Sequence, residues 1–361
     1  MSRLRCTRCL AFLLAATTGL LLPGSARAQS APYRLGRWNQ DSLGNQRVVL
    51  RVDSTRDLVA VRAQIPWRRR DPAPERKQII ITDALGNRVT QLLALSVRSD
   101  SGDIVFRPRA GVGDYYLYFL PYVGSVRSNY PKITYPAPDS SSDLQWDRDA
   151  RAQPDLLPAA RVVAFESADS MSLLWPMEVT ATPAEVAARR TAAAGAPFVV
   201  FPEERTRPIK MTDRLPQRWI GSSAPTAVTG TADRDEYFAF QLGIWALQQL
   251  DSVRVEFSAI RGPGGRTIPS SAFNCVTTDG VDWIGRPFHR RVDVAPGAVS
   301  PIWCGLMVPP NATAGQYRGQ AVVRAADGKR VEVPIALTIS AQRAVRHGDD
   351  EPWRLSRLRW L

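Results

Sequence analysis

The stretch RVEVPIALTIS (330–340) places Val331, Val333, Ile335, Leu337 and Ile339 at every second position. Successive side chains of a strand point to opposite faces, so this period gives one apolar and one polar face. That is the pattern of an antiparallel strand half-buried against a core. The same grain runs through most of the chain. QRVVLRV (46–52), LVAVRAQI (58–65), QIIITD (78–83), NRVTQLLAL (87–95), DIVFRP (103–108) and YYLYFLP (115–121) form a first series. Asp83-Ala84-Leu85-Gly86-Asn87 and Ser99-Asp100-Ser101-Gly102-Asp103 supply tight-turn chemistry between them. A second series runs through EYFAFQLGIWAL (236–247), SVRVEFSAI (252–260), HRRVDV (289–294), SPIWCGLMV (300–308) and GQYRGQAVVRA (315–325) to the stretch at 330–340. Short strands at this spacing, with no helical period between them, indicate sandwiches. The expected fold is all-β: two β-sandwich domains in series, at residues 31–135 and 214–341.

Between the two series the grain changes. YPKITYPAPDSSSD (130–143) is rich in Pro and Ser and carries too little apolar surface to fold alone. A linker and short mixed α/β segment is expected at 136–213. RVVAFES (161–167), LLWPMEVTA (173–181) and APFVVFPEE (196–204) read as strands. Thr182-Pro183-Ala184-Glu185 has the form of a capping box, opening an Ala-rich helix to about Ala194 that Gly195 stops.

The first 28 residues read as an export signal. Arg3, Arg5 and Arg8 precede the apolar run Cys9 to Leu22, then Pro23-Gly24 and Ala26-Arg27-Ala28, an A-x-A cleavage site. That run is too short to span a bilayer as a helix. The expectation is a secreted or periplasmic protein beginning near Gln29, with no stable membrane insertion after cleavage. Removing four arginines lowers the formal net charge from +13 to +9 (13 − 4). The only lysines are Lys77, Lys132, Lys210 and Lys329, and WRRRD (67–71) is the densest basic cluster. Nucleic-acid binding asks for a concentrated basic face with interleaved aromatics, which this pattern does not supply. A basic surface-binding module for an anionic polymer stays as an alternative. Of four cysteines, Cys6 and Cys9 lie in the signal; Cys275 and Cys304 remain, either a disulfide in an oxidising compartment or two buried thiols.

Material for catalysis is thin. His289 and His347 are the only histidines, neither in HExxH nor beside a second ligand type, so no metal site and no Ser-His-Asp triad is expected. GxSxG, P-loop and GxGxxG are absent, and no cofactor is expected. Adjacent acids occur at Asp235-Glu236, opening a strand that would send them to opposite faces, and at Asp350-Glu351, where capping a helix is the simpler role. In DYYLYFLPY (114–122), Tyr116, Tyr118 and Tyr122 fall on one face. With Trp67 they are candidate carbohydrate-binding residues, because sugars dock on flat aromatic faces. The alternative is that these rings are core or are covered by a neighbouring domain.

Seven stretches carry a family resemblance: IPWRRRDPAPERKQIIITDALG (65–86), GDYYLYFLPY (113–122), FVVFPEERTRPIKMTDRLPQRWI (198–220), EYFAFQLGIWAL (236–247), VDWIGRPF (281–288), PIWCGLMVPPNATAGQYRG (301–319) and HGDDEPWRLSRLRWL (347–361). In order along the chain, they resemble the N-terminal region of glycoside hydrolase family 123-like proteins. The resemblance implies β-sandwich modules followed by a catalytic (β/α)8 barrel, absent from this chain, with residues 342–361 as a truncated lead-in to it. Family 123 enzymes remove β-linked N-acetylgalactosamine using an adjacent Asp-Glu pair on that barrel, assisted by the substrate's acetamido group. Asp350-Glu351 precedes any barrel strand, so no catalytic residue is assigned. The resemblance therefore implies a non-catalytic accessory region that packs against the barrel and binds carbohydrate. The alternative is a self-sufficient hydrolase of β-N-acetylgalactosaminides.

Overall fold

The computed structural model describes residues 31–360 except 54–57, 126–128, 131, 140–142, 171, 174–176 and 283. The export signal expected at residues 1–28 lies outside the described residues. Among those described, no helix is long and apolar enough to cross a membrane.

The N-terminal half follows the order β1 (Tyr33–Leu35), β2 (Gln46–Val52), β3 (Val61–Ile65), β4 (Ile80–Asp83), β5 (Leu92–Val97), β6 (Gly102–Phe106), β7 (Gly113–Tyr118), β8 (Val123–Ser125), β9 (Lys132–Thr134), α1 (Leu144–Ala152) and β10 (Arg161–Ser167). One sheet has the order β1-β10-β2-β7-β4, a second β3-β6-β5, and β8 pairs with β9 alone. Val48, Leu50 and Val52 of β2 are fully buried and Val49 nearly so, because this strand is covered on both faces. The Phe106 and Tyr115 rings, one from each sheet, meet at 5.2 Å between centroids. Helix α1 covers the outer side of the smaller sheet, burying Trp146 and Ala150 against Ala60, Leu93 and Val105. Asp143 caps it, accepting from the Trp146 amide at 2.9 Å.

The C-terminal half opens with α2 (Pro183–Ala192). It continues through β11 (Phe198–Glu204), β12 (Val228–Arg234), β13 (Tyr237–Ala246), β14 (Arg254–Phe257), β15 (Ile260–Arg261), β16 (Thr267–Ile268), β17 (Phe273–Asn274), β18 (Asp279–Val281), β19 (Pro287–His289), β20 (Val299–Met307), β21 (Gly315–Arg324) and β22 (Arg330–Arg343). Sheets β11-β13-β20-β17 and β12-β22-β21-β15-β16, with β14 also on β21, enclose the second core, and β18 pairs with β19. In β22, Val333, Ile335, Leu337 and Ile339 point into that core, as their spacing predicts. The capping box forms as expected: Thr182 Oγ1 accepts from the Glu185 amide, and Glu185 accepts from the Thr182 amide.

The connecting segment expected at 136–213 contributes a strand to each sandwich. β10 pairs with β1 and β2, while β11 runs antiparallel to β13 from Phe198↔Ala246 to Glu204↔Phe240. Within the stretch 173–181, Thr180 makes one isolated bridge to Pro216, and 174–176 lie outside the described residues.

β13 explains how the second half holds its outer layer. All ten of its residues are buried. Phe238, Phe240, Leu242, Ile244 and Ala246 face the sandwich core, while Trp245 packs outward with Met177, Phe201, Ile209, Leu215 and Trp219. Gln241, fully buried, holds the covering segment: its Oε1 accepts from the Ile209 amide at 2.8 Å, and its amide nitrogen donates to the Arg207 carbonyl at 3.2 Å. Gly243 allows this covering, since a Cβ there would stand 2.5 Å from the Trp219 ring.

Candidate interaction site

The aromatic face read from the sequence is occupied from within. Arg47 on β2 pairs in register with Tyr118 on β7. Its guanidinium lies 3.9 Å from the Tyr116 ring centroid and 4.4 Å from that of Trp38. Buried Glu166 on β10 accepts from Arg47 Nε at 2.7 Å and from Arg34 Nε at 2.8 Å. Tyr118 is itself buried, accepting from Arg47 at 3.3 Å. Trp67 is fully buried: its indole N–H donates to the Arg98 carbonyl at 2.7 Å, and Gly102 leaves room for its ring. Tyr122 is half-buried beyond the end of β7. So Tyr116 and Tyr118 are brought together, with Arg47 over the Tyr116 ring, Trp67 is interior, and the four do not make one solvent-facing platform.

The two acidic pairs are neighbours in space through a third residue. Asp235 sits in a left-handed turn at φ 62°, which sends it outward to Arg343 and His347, while Glu236 turns inward. The two carboxylates do part, as alternation predicts, and Glu236 is fully buried. Its Oε1 accepts from Arg205 Nη1 at 2.5 Å, and its Oε2 from Arg354 Nη1 at 2.6 Å and the Asp233 amide at 2.7 Å. Arg354 also reaches Asp233 at 2.9 Å and Glu351 at 2.7 Å. Glu351 is thus an ion-pair partner and caps no helix with its side chain.

Arg354 belongs to a C-terminal segment of short 3-10 turns, Val345–Gly348, Pro352–Arg354 and Ser356–Trp360, the last folded against β13. Asp349 anchors the segment's end. It pairs with Arg359 and accepts from Ser356 Oγ at 3.0 Å, and the Arg359 hydrogen bond holds its carboxyl below the usual range. Out of this seam stands Trp353, 55% exposed, with the Arg354 guanidinium 4.7 Å and that of Arg205 5.1 Å from its ring. Sequence reasoning missed Arg205, Glu236 and Arg354 as a unit. Their separations of 31 and 118 residues leave no local signal.

What can this chemistry do? A glycosidase acid needs a carboxyl held protonated near neutrality. Hydrogen bonds to their carboxyl oxygens hold Asp71, Asp83, Asp143, Glu185, Asp293, Asp327 and Asp349 below the usual carboxylate range. Glu351 pairs with Arg354 and Asp350 with Arg346. A cleft of about 650 Å3 lies between α2 and both halves, lined by Arg68, Thr182, Arg190, Asp213, Arg214 and Trp245 among others. Arg68 there is engaged by Glu185 and the Thr180 carbonyl. No cluster of three or more His, Cys, Asp or Glu residues that could hold a metal occurs among the described residues. Cys275 and Cys304 are both buried and are not bonded to each other in this structure.

Residues 36–168, from before β2 through β10, match the family model of the glycoside hydrolase 123, N-terminal domain, so this stretch is a glycoside hydrolase 123 N-terminal-like region. Comparison with curated protein sequences gives no match. Among solved structures, a family 123 glycoside hydrolase from Clostridium perfringens, described for glycolipid glycan hydrolysis, is similar at 13% identity and TM-score 0.32. The similarity covers 40% of this chain and 28% of that one, so the chain spans under a third of that enzyme's length. A PapD-like domain of human CEP192 is similar at 13% identity and TM-score 0.22, over 33% of this chain and 83% of that one. Self-complemented MyfA, the major subunit of Myf fimbriae from Yersinia enterocolitica, is similar at 13% identity and TM-score 0.21, over 32% of this chain and 90% of that one.

Proposed function

We propose that this protein is a non-catalytic accessory region of an exported glycoside hydrolase 123-type system, docking a catalytic domain through the surface around Trp353. The observation that carries the reading is a half-exposed tryptophan with two guanidinium groups about its ring, on a seam whose acids are all engaged. An exposed Trp exacts a hydration cost that burial against a partner recovers, and rigid Trp and Arg side chains dominate interface energetics. Fixing the ring in advance lowers the entropy lost on docking. The family match of residues 36–168 supports the kind of partner.

Two measurements test the reading. The chain alone, assayed on a chromogenic β-N-acetylgalactosaminide, is expected to give no turnover; turnover abolished by Glu351→Gln would establish the hydrolase alternative instead. Sedimentation velocity of the chain with a family 123 catalytic domain is expected to show a complex that Trp353→Ala weakens at least tenfold, the scale of about 1.4 kcal/mol or more for an interface tryptophan. Absence of a complex, or one indifferent to Trp353→Ala, removes the docking assignment.

A further inference from the structure

We propose that Cys275 and Cys304 are joined as an intrachain disulfide in the exported protein, latching the excursion between β17 and β20 to its sheet. The geometry starts from register. β17 runs antiparallel to β20 with Phe273↔Leu306 and Asn274↔Gly305 as partners. Continued one residue past the end of β17, that register would set Cys275 opposite Cys304. Residues directly opposite in an antiparallel pair have Cα atoms about 4.5–5.5 Å apart, inside the 4.4–6.8 Å that a disulfide spans. Both side chains are buried in the second core, at 3% and 1% exposure.

The chain between them explains what the bond would do. After Cys275 it leaves the sheet to form the β18–β19 hairpin, where Val281, Ile284 and Phe288 are 55%, 46% and 38% exposed. The excursion returns at β20, and its attachments near Cys275 are few: the Thr278 and Asp279 amides donate to the Cys275 carbonyl, and the Trp303 amide donates to Thr277 Oγ1 at 2.8 Å. A covalent tie at this point closes the excursion into a loop and holds its exposed apolar tip to the core.

Burial pushes the Cys304 thiol well above its ordinary range, and the neighbouring Cys275 adds to the effect. The attacking species is the thiolate, so the folded dithiol is inert and the bond must form before the second sandwich closes. In the open chain one cysteine thiolate attacks a sulfur of a small or protein disulfide oxidant. This forms a mixed disulfide and expels the first thiolate of the oxidant. The second cysteine thiolate attacks the chain's sulfur in that mixed bond, forming the Cys275–Cys304 bond and expelling the second thiolate. The chain loses two electrons and two protons; the oxidant gains both and leaves as two thiols.

The test uses the purified protein, reduced in denaturant and refolded in oxidised and reduced glutathione. Alkylation and digestion without reduction are expected to give a Cys275–Cys304 linked peptide pair as the main product. Recovery of both cysteines as alkylated free thiols overturns the proposal. A chain-entropy treatment of a loop of about 30 residues predicts that reductant raises the unfolding equilibrium constant by about 400-fold. The Cys275→Ala/Cys304→Ala double variant is expected to show no response to reductant. A linked peptide whose reduction leaves unfolding unchanged overturns the latch.

Discussion

Replacing Glu236 by Ala removes the one carboxylate that both Arg205 and Arg354 share. Glu236 has no exposed surface, and the side chains of the two arginines are 7% and 12% exposed. Arg354 keeps Asp233 and Glu351, but among the described residues Arg205 pairs with no second carboxylate and would face Arg354 with the intervening charge gone. Breaking a buried pair by deleting one partner costs about 3–5 kcal/mol, because the remaining charge stays desolvated. At about 2.1 cal/mol/K of unfolding entropy per residue, roughly 330 residues give a fall in Tm of about 4–7 °C. Calorimetry and urea unfolding measure that loss directly. Hydrogen exchange of residues 345–360 is expected to rise at the same time, since Arg354 is the segment's tie to the sheet. Glu351→Gln, at a side chain 47% exposed, serves as the comparison and is expected to cost under about 1 kcal/mol. A Glu236→Ala protein within 1 kcal/mol of the parent, with unchanged exchange at 345–360, would refute the assignment of this seam as a buried ionic tie.

Gly305→Ala is expected to destabilise by at least the roughly 1–3 kcal/mol of overpacking. Its Cβ would lie 2.0 Å from the Tyr237 ring and 2.1 Å from the hydroxyl that donates to Asn274; Tyr237→Leu in the same chain is expected to restore part of the loss in urea unfolding. Asp349 has its carboxyl held low by Arg359, so the unfolded chain binds more protons and stability rises with pH across the interval between the two values. The contribution is complete above the unfolded value of about 3.9 and is lost as pH falls through the lower folded one; Asp349→Asn is expected to remove that portion of the acid dependence in urea midpoints measured from pH 2 to 6.

Much of the architecture was legible because strand signals are local. The alternation of β22 placed Val333, Ile335, Leu337 and Ile339 in the core, and Thr182-x-x-Glu185 placed the start of α2, since each depends only on neighbouring residues. The mixed segment between the sandwiches was legible as elements but not as membership. Whether β10 and β11 complete a sheet depends on which edge each meets, and those edges are set by strands far along the chain. The aromatic face shows the same limit. Period two put Tyr116 and Tyr118 on one side, but that Arg47, some seventy residues earlier, lies over the Tyr116 ring has no local signal.

The C-terminal stretch separates the two kinds of information most clearly. Its apolar and basic residues mark it as a segment that must pack, because water disfavours exposed rings and side chains of that size whatever the fold. Only the tertiary structure decides where it packs, since Glu236 becomes a tie for Arg354 through burial on β13. Sequence alone determined the alternation of β22 and the capping box that opens α2, which follow from short-range sterics and hydrophobic period. The third dimension decided which charges are paired, which rings are covered and which tryptophan is left facing outward, because those outcomes depend on contacts between residues that the chain itself keeps far apart.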